Sequence, residues 1–169
     1  MKAGLNDILL IGLFVEDDGR RFYERCSKLV STKEGREMFN FLASEESRHY
    51  TKFKELYVKH AGKKPVLSDC ERTRLAGFRK KADVFVRGSV EGLLDGASDA
   101  IDALDIAVEV EENSIRLYSG FRKSVSEEGV LDVLKTIIGE EERHLAILQM
   151  EEEFLTSTGE WHDFRIVTS

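Results

Sequence analysis

One five-residue word occurs twice in this chain of 169 residues: Glu-Glu-Ser-Arg-His from Glu45 to His49, and Glu-Glu-Glu-Arg-His from Glu140 to His144. In each copy a Glu and a His stand at i and i+3, Glu46 with His49 and Glu141 with His144. On a helix that spacing puts both side chains on one face, about one turn apart, where they can close on one ion. A lone pair of this kind says little, because a solvated helix face produces it as readily. The repeat changes the reading. The shift of 95 residues that carries His49 onto His144 also carries Glu16 onto Glu111, Tyr23 onto Tyr118, Gly12 onto Ala107, Gly19 onto Ser114, Phe39 onto Leu134 and Leu42 onto Ile137. Register is kept without a gap over some 35 residues, so the chain carries a duplicated metal-ligand motif.

Periodicity predicts four long helices. Leu5, Leu9, Gly12, Leu13, Gly19, Tyr23 and Cys26 recur at three- and four-residue steps with Glu16 among them, so helix A, over about 5–30, turns a carboxylate inward. Gly12 and Gly19 flank Glu16; they either leave volume beside the carboxylate or allow close helix packing. Ser31 and Glu34 stand at capping-box spacing ahead of helix B, which runs to about His60 with Met38, Phe39, Leu42, Phe53 and Leu56 on its apolar face. Gly62 and Pro65 stop it. Helix C, about 98–125, presents Ile101, Leu104, Ala107, Glu111, Ser114, Tyr118 and Phe121 on one face. Helix D, about 130–156, presents Leu131, Leu134, Ile137, Glu141, His144 and Leu148, with Glu140, Glu142, Arg143 and Glu151 expected outward.

The fold expected is all-α: a four-helix bundle within a single domain spanning 1–169, made of two antiparallel helix hairpins, about 5–60 and 98–156. Parallel placement of helices B and C requires the crossover, 61–97, to return along the bundle, and short helices are expected there. The tail, 157–169, carries Trp161, Phe164, Ile166 and Val167, enough apolar surface to pack on the bundle or on a second subunit.

A formal charge of −7 argues against nucleic acid and against an anionic membrane surface. The apolar run Ile8 to Val15 is too short to span a bilayer and is bounded by Asp7 and Glu16-Asp17-Asp18, so it is read as the buried start of a helix. Cys26 and Cys70 form no CxxC, which fits a reducing cytoplasm.

Four helices thus bring Glu16, Glu46, Glu111 and Glu141 to one interior, and two of them add His49 and His144. Four ionised carboxylates sharing a core repel one another and lose hydration, so they must be protonated, exposed or neutralised. Two divalent cations would balance them with both imidazoles neutral. Carboxylate and imidazole without thiolate suit iron or manganese and also accept zinc. The same set, one Glu from each of two helices and Glu-x-x-His from each of the other two, characterises ferritin-like bundles.

On these residues the chain resembles a rubrerythrin-type diiron protein of the ferritin-like superfamily, over roughly residues 5 to 155. The resemblance implies two iron ions, with Glu16 and Glu111 as terminal ligands, Glu46 and Glu141 as bridges, and His49 and His144 each capping one iron. It also implies Tyr23 and Tyr118 as hydrogen-bond donors that orient carboxylates; the alternative for both is a plain core tyrosine. The function implied is oxidoreduction, with H2O2 or O2 reduced at the dinuclear site, in a protein that pairs as a homodimer. The paired CxxC motifs of rubrerythrin's rubredoxin domain do not occur here, so a separate electron donor is expected. Rubrerythrin also carries a further Glu three residues after its helix C ligand, where this chain has Ser114. Two rivals stand beside this reading. One is a protein that binds iron, manganese or zinc for buffering or sensing without turnover. The other is a bundle whose inward charges are paired with Arg48, Arg143 or Arg20.

Overall fold

The computed structural model describes residues 4–79, Leu94 and 99–162. Five helices make up this part: α1 (Leu5–Leu29), α2 (Lys33–Ala61), α3 (Asp69–Arg79), α4 (Ala100–Arg122) and α5 (Glu128–Thr158). The four long ones fall where periodicity puts helices A to D, and the described residues contain no strand. They form a four-helix bundle in which α1 packs mainly on α2 and α4 mainly on α5, with less direct contact between the two hairpins.

Local chemistry sets the ends. The cap of α2 is Thr32, whose hydroxyl accepts from the Gly35 amide at 3.3 Å, one residue later than the capping box expected at Ser31. Asp99 caps α4 by accepting from the amides of Ile101 and Asp102. Gly62 and Gly159 end α2 and α5 at φ of 67° and 74°, a left-handed backbone that glycine adopts without cost.

Every residue from Ile8 to Val15 is buried, so the first half of α1 has no wet face. Its bundle side packs on α2, and α3 of the crossover covers it from outside. Leu75 of α3 is fully buried, and the Arg72 guanidinium lies 4.6 Å over the Phe14 ring while it grips Asp18 at 2.5 and 3.0 Å. The expected crossover helices are represented by α3, and 80–93 and 95–98 lie outside the described residues. The tail folds back on its own bundle: Trp161 rests on Gly35 and meets the Phe39 ring edge-on at 6.2 Å. His162 donates its amide to Glu151 at 2.9 Å, which is why Glu151 is buried rather than outward. Phe164, Ile166 and Val167 lie outside the described residues. None of the described helices is long and apolar enough to cross a membrane.

The two glycines beside Glu16 have different jobs. A methyl group on Gly12 would stand 2.7 Å from the fully buried Phe53 ring, so Gly12 serves close packing of α1 on α2. One on Gly19 would meet the Glu46 carboxylate carbon at 3.3 Å, so Gly19 makes room for a site residue. For Gly12→Ala, a helix-propensity gain of about 1 kcal/mol opposes an overpacking cost of about 1–3 kcal/mol. Phe53 is fully buried, and the expected result is a net loss of about 1 kcal/mol in urea unfolding. A higher unfolding midpoint would show that the ring moves aside.

Candidate metal centre

The bundle brings all six expected ligands together at mid-length. Ligand atoms of Glu16, Glu46, His49 and Glu141 lie within 4.8 Å of one another, and so do those of Glu46, Glu111, Glu141 and His144. All six residues are buried. Glu46 and Glu141 belong to both groups, Glu16 and Glu111 to one each. The two imidazoles lie side by side, ring centres 5.7 Å apart and planes 24° from parallel.

Hydrogen bonds cross between the halves of the repeat. Tyr23 of α1 donates to Glu111 of α4, and Tyr118 of α4 donates to Glu16 of α1. Burial, followed by the charge of the carboxylate that each one meets, pushes both phenols well above their ordinary value, so they keep their protons and remain donors. The Nε2 of His49 lies 3.0 Å from Oε2 of Glu140, the residue before the α5 ligand Glu. Glu140, expected outward, is therefore buried at 7% exposure and takes part in the site. It also accepts from Lys52 at 2.6 Å, and Arg48 and Arg143 approach it at 3.5 and 3.9 Å. Burial would raise its carboxyl; Lys52 and then His49 outweigh that and hold it below the usual range. The repeat-related pair is looser, His144 Nε2 standing 3.9 Å from Glu45. The sequence signal for these outer carboxylates was the doubled Glu of the repeated word, with its first Glu one position before the ligand.

The state of His49 decides what the cluster can hold. A carboxylate partner accepts only, so Nε2 carries a proton; Nδ1 holds the second proton of the metal-free imidazolium and becomes a free lone pair when a cation displaces that proton. That Nδ1 is buried and makes no hydrogen bond, and nor does the buried Oε2 of Glu16. Around Nδ1 stand Glu16 Oε2 at 3.3 Å, Glu141 Oε1 at 3.4 Å and Glu46 Oε2 at 3.7 Å, from three helices. Four lone-pair donors converging on dry space suit a cation. The arginines of the rival bundle reading end elsewhere: Arg20 on Asp17 and Glu24, Arg48 on Glu45 and Glu140. The carboxylate and imidazole donors thus fit a divalent metal at each group.

The family model described as Rubrerythrin matches residues 7–152. The chain belongs to the rubrerythrin family. Its fold is accordingly the ferritin-like all-α bundle, and the family typically binds metal. A solved structure of a hypothetical protein from Pyrococcus furiosus shares the fold, with a TM-score of 0.67 at 22% identity, 91% of each chain being covered. No curated protein matches the chain.

Protons and metal compete for this rubrerythrin-family site. Burial alone would lower both histidines, but Glu16, Glu141 and Glu46 raise His49 far above its usual range, and Glu141, Glu45 and Glu111 raise His144 to about 9. Burial also raises Glu46 and Glu111, assisted in both by the charge of Glu141. A raised histidine stabilises the fold fully below its unfolded value of about 6.5 and loses that contribution as pH climbs through its folded value. Chelator-treated protein is therefore expected to melt lower at pH 9 than at pH 6.5. Mn(II)-loaded protein should not follow, because the metal replaces the protons and binds more tightly as they leave. Parallel thermal scans at the two pH values check both halves.

Proposed function

We propose that the protein is a diiron-carboxylate oxidoreductase that reduces peroxide or O2. The observation that carries the reading is the buried Nδ1 of His49, which makes no hydrogen bond and faces carboxylate oxygens from three helices. In this reading Glu16 and His49 would hold one ion and Glu111 and His144 the other, with Glu46 and Glu141 common to both groups. A bound pair of ferrous ions would supply two electrons and a clamp on both oxygen atoms of the oxidant. The chain supplies the rest. Tyr118 and Tyr23 fix the rotamers of Glu16 and Glu111, so that neither carboxylate has to reorganise during turnover. Glu140 fixes the tautomer of His49 and so keeps Nδ1 free of a proton when metal is present. Fully buried rings beside the two tyrosines, Phe39 against Tyr23 and Phe53 against Tyr118, keep bulk water from them. Electrons to reset the site come from a separate donor, and the buried Cys26 and exposed Cys70, both free thiols, fit work in the cytoplasm.

One observation favours a second reading, metal buffering or sensing without turnover. The position where rubrerythrin adds a further carboxylate is held by Ser114, buried on α4, so the site has one fewer ligand to exchange during redox change.

The test is anaerobic Fe(II) loading followed by H2O2 or air. Two irons per chain, one for each ligand group, and oxidation faster than that of Fe(II) in buffer are expected. Glu46→Ala, which removes an oxygen common to both groups, should lose both irons. Tightly held zinc with no oxidation would replace the oxidoreductase reading by the buffering one; no metal at all would overturn both.

A further inference from the structure

The repeat that builds the two ligand groups is broken at one position that touches them. Shifting Lys52 by the repeat length lands on Ile147. Lys52 of α2 reaches across to α5 and places its Nζ 2.6 Å from Oε2 of Glu140, the oxygen that faces His49 Nε2 at 3.0 Å. Ile147 brings no charge to the corresponding carboxylate, Glu45. Arg48 holds Glu45 through its other oxygen, Oε1, at 2.5 Å, and His144 Nε2 stands 3.9 Å from Oε2, beyond hydrogen-bond reach. The results at the two rings differ accordingly. His49 is anchored at Nε2 and presents to its ligand group an Nδ1 that makes no hydrogen bond. His144 is not anchored at Nε2, and its Nδ1 lies 3.0 Å from Glu141 Oε2.

Resting on the diiron reading above, we propose that Lys52 is a positioning residue that makes the two metal positions unequal, so that the group of Glu16, Glu46, His49 and Glu141 fills before the group of Glu46, Glu111, Glu141 and His144. The ammonium fixes the Glu140 carboxylate, the carboxylate fixes the imidazole, and the imidazole meets the first ion already oriented. At the second position Nδ1 is already engaged with Glu141, and Glu45 stands beyond hydrogen-bond reach of Nε2, so no hydrogen bond there fixes the ring. Outer groups that hold a histidine ligand in this way change metal affinity by about 10–100-fold.

Mn(II) is the probe, since it stays divalent in air and takes oxygen and nitrogen ligands. Calorimetry of full-length protein with Mn(II) should resolve two steps at least about 10-fold apart. At one equivalent the electron paramagnetic resonance spectrum should be that of isolated Mn(II), with the coupled-pair signal growing only as the second equivalent enters. Lys52→Met, which keeps the apolar stem, should weaken the first step by about 10-fold or more and leave the second in place. Lys52→Arg should restore the separation. His49→Ala should lose the tight step and His144→Ala the weak one. Two equal steps in the parent protein, or a tight step unchanged in Lys52→Met, would overturn the inference while leaving a dinuclear site intact. Absence of any Mn(II) or Fe(II) binding would instead sink the diiron reading on which it rests.

Discussion

Four carboxylates converge in the dry middle of this bundle, and the rest of the structure is arranged around that electrostatic cost. Moving one carboxylate out of water costs several kcal/mol even after relaxation, and here each has others within a few ångströms. Whole-domain stability is only about 5–15 kcal/mol, so the cluster left ionised and unpaired would consume all of it. Protons or cations must neutralise it. The raised carboxyls of Glu46 and Glu111 and the raised imidazoles show the protonated solution. Two divalent ions are the solution for which the ligand geometry is suited, because a proton satisfies one lone pair and an ion satisfies four or more.

Duplication gives the site its means of holding itself. Each half supplies the ligands that the other half orients: Tyr23 holds Glu111, Tyr118 holds Glu16, and Glu140 holds His49. The hairpins touch each other less than the helices within them do. The polar crossing contacts therefore act as the tie between hairpins as well as the frame of the site. Buried polar groups paired in this way specify one register, since sliding either hairpin by a turn would leave a tyrosine hydroxyl and a carboxylate without partners.

The helices, their order and the six inward ligands were legible because helical periodicity and the repeat are both properties of spacing, which a linear chain displays directly. Three features were not. Glu140 and Glu151 sit on the polar side of their helix by periodicity, yet one is buried by His49 and Lys52 from another helix and the other by His162 from the tail. Partners that lie 91 and 88 residues away leave no trace in local pattern. Gly12 and Gly19 look alike beside Glu16, and only the identity of the facing side chain, Phe53 or Glu46, separates a packing glycine from one that makes room for a ligand. The cap of α2 fell on Thr32 rather than Ser31, and adjacent hydroxyls at the start of a helix look alike in the local pattern.

Among the described residues the halves also differ in what surrounds them. Arg72 of α3 clamps Asp18, two residues beyond Glu16 on α1; the repeat puts Asn113 there on α4, which could not pair with a guanidinium by charge. Leu75 seals the outer face of α1, whose apolar run has no equivalent in α4, where Glu109 stands at the position of Phe14. Ile147 replaces Lys52. A symmetric ligand set is thus embedded in an asymmetric shell, with Ile8–Val15 of the first half buried throughout. Affinity and redox response depend on the shell as much as on the ligands. Two chemically identical sets of donors are therefore no argument for two equivalent positions.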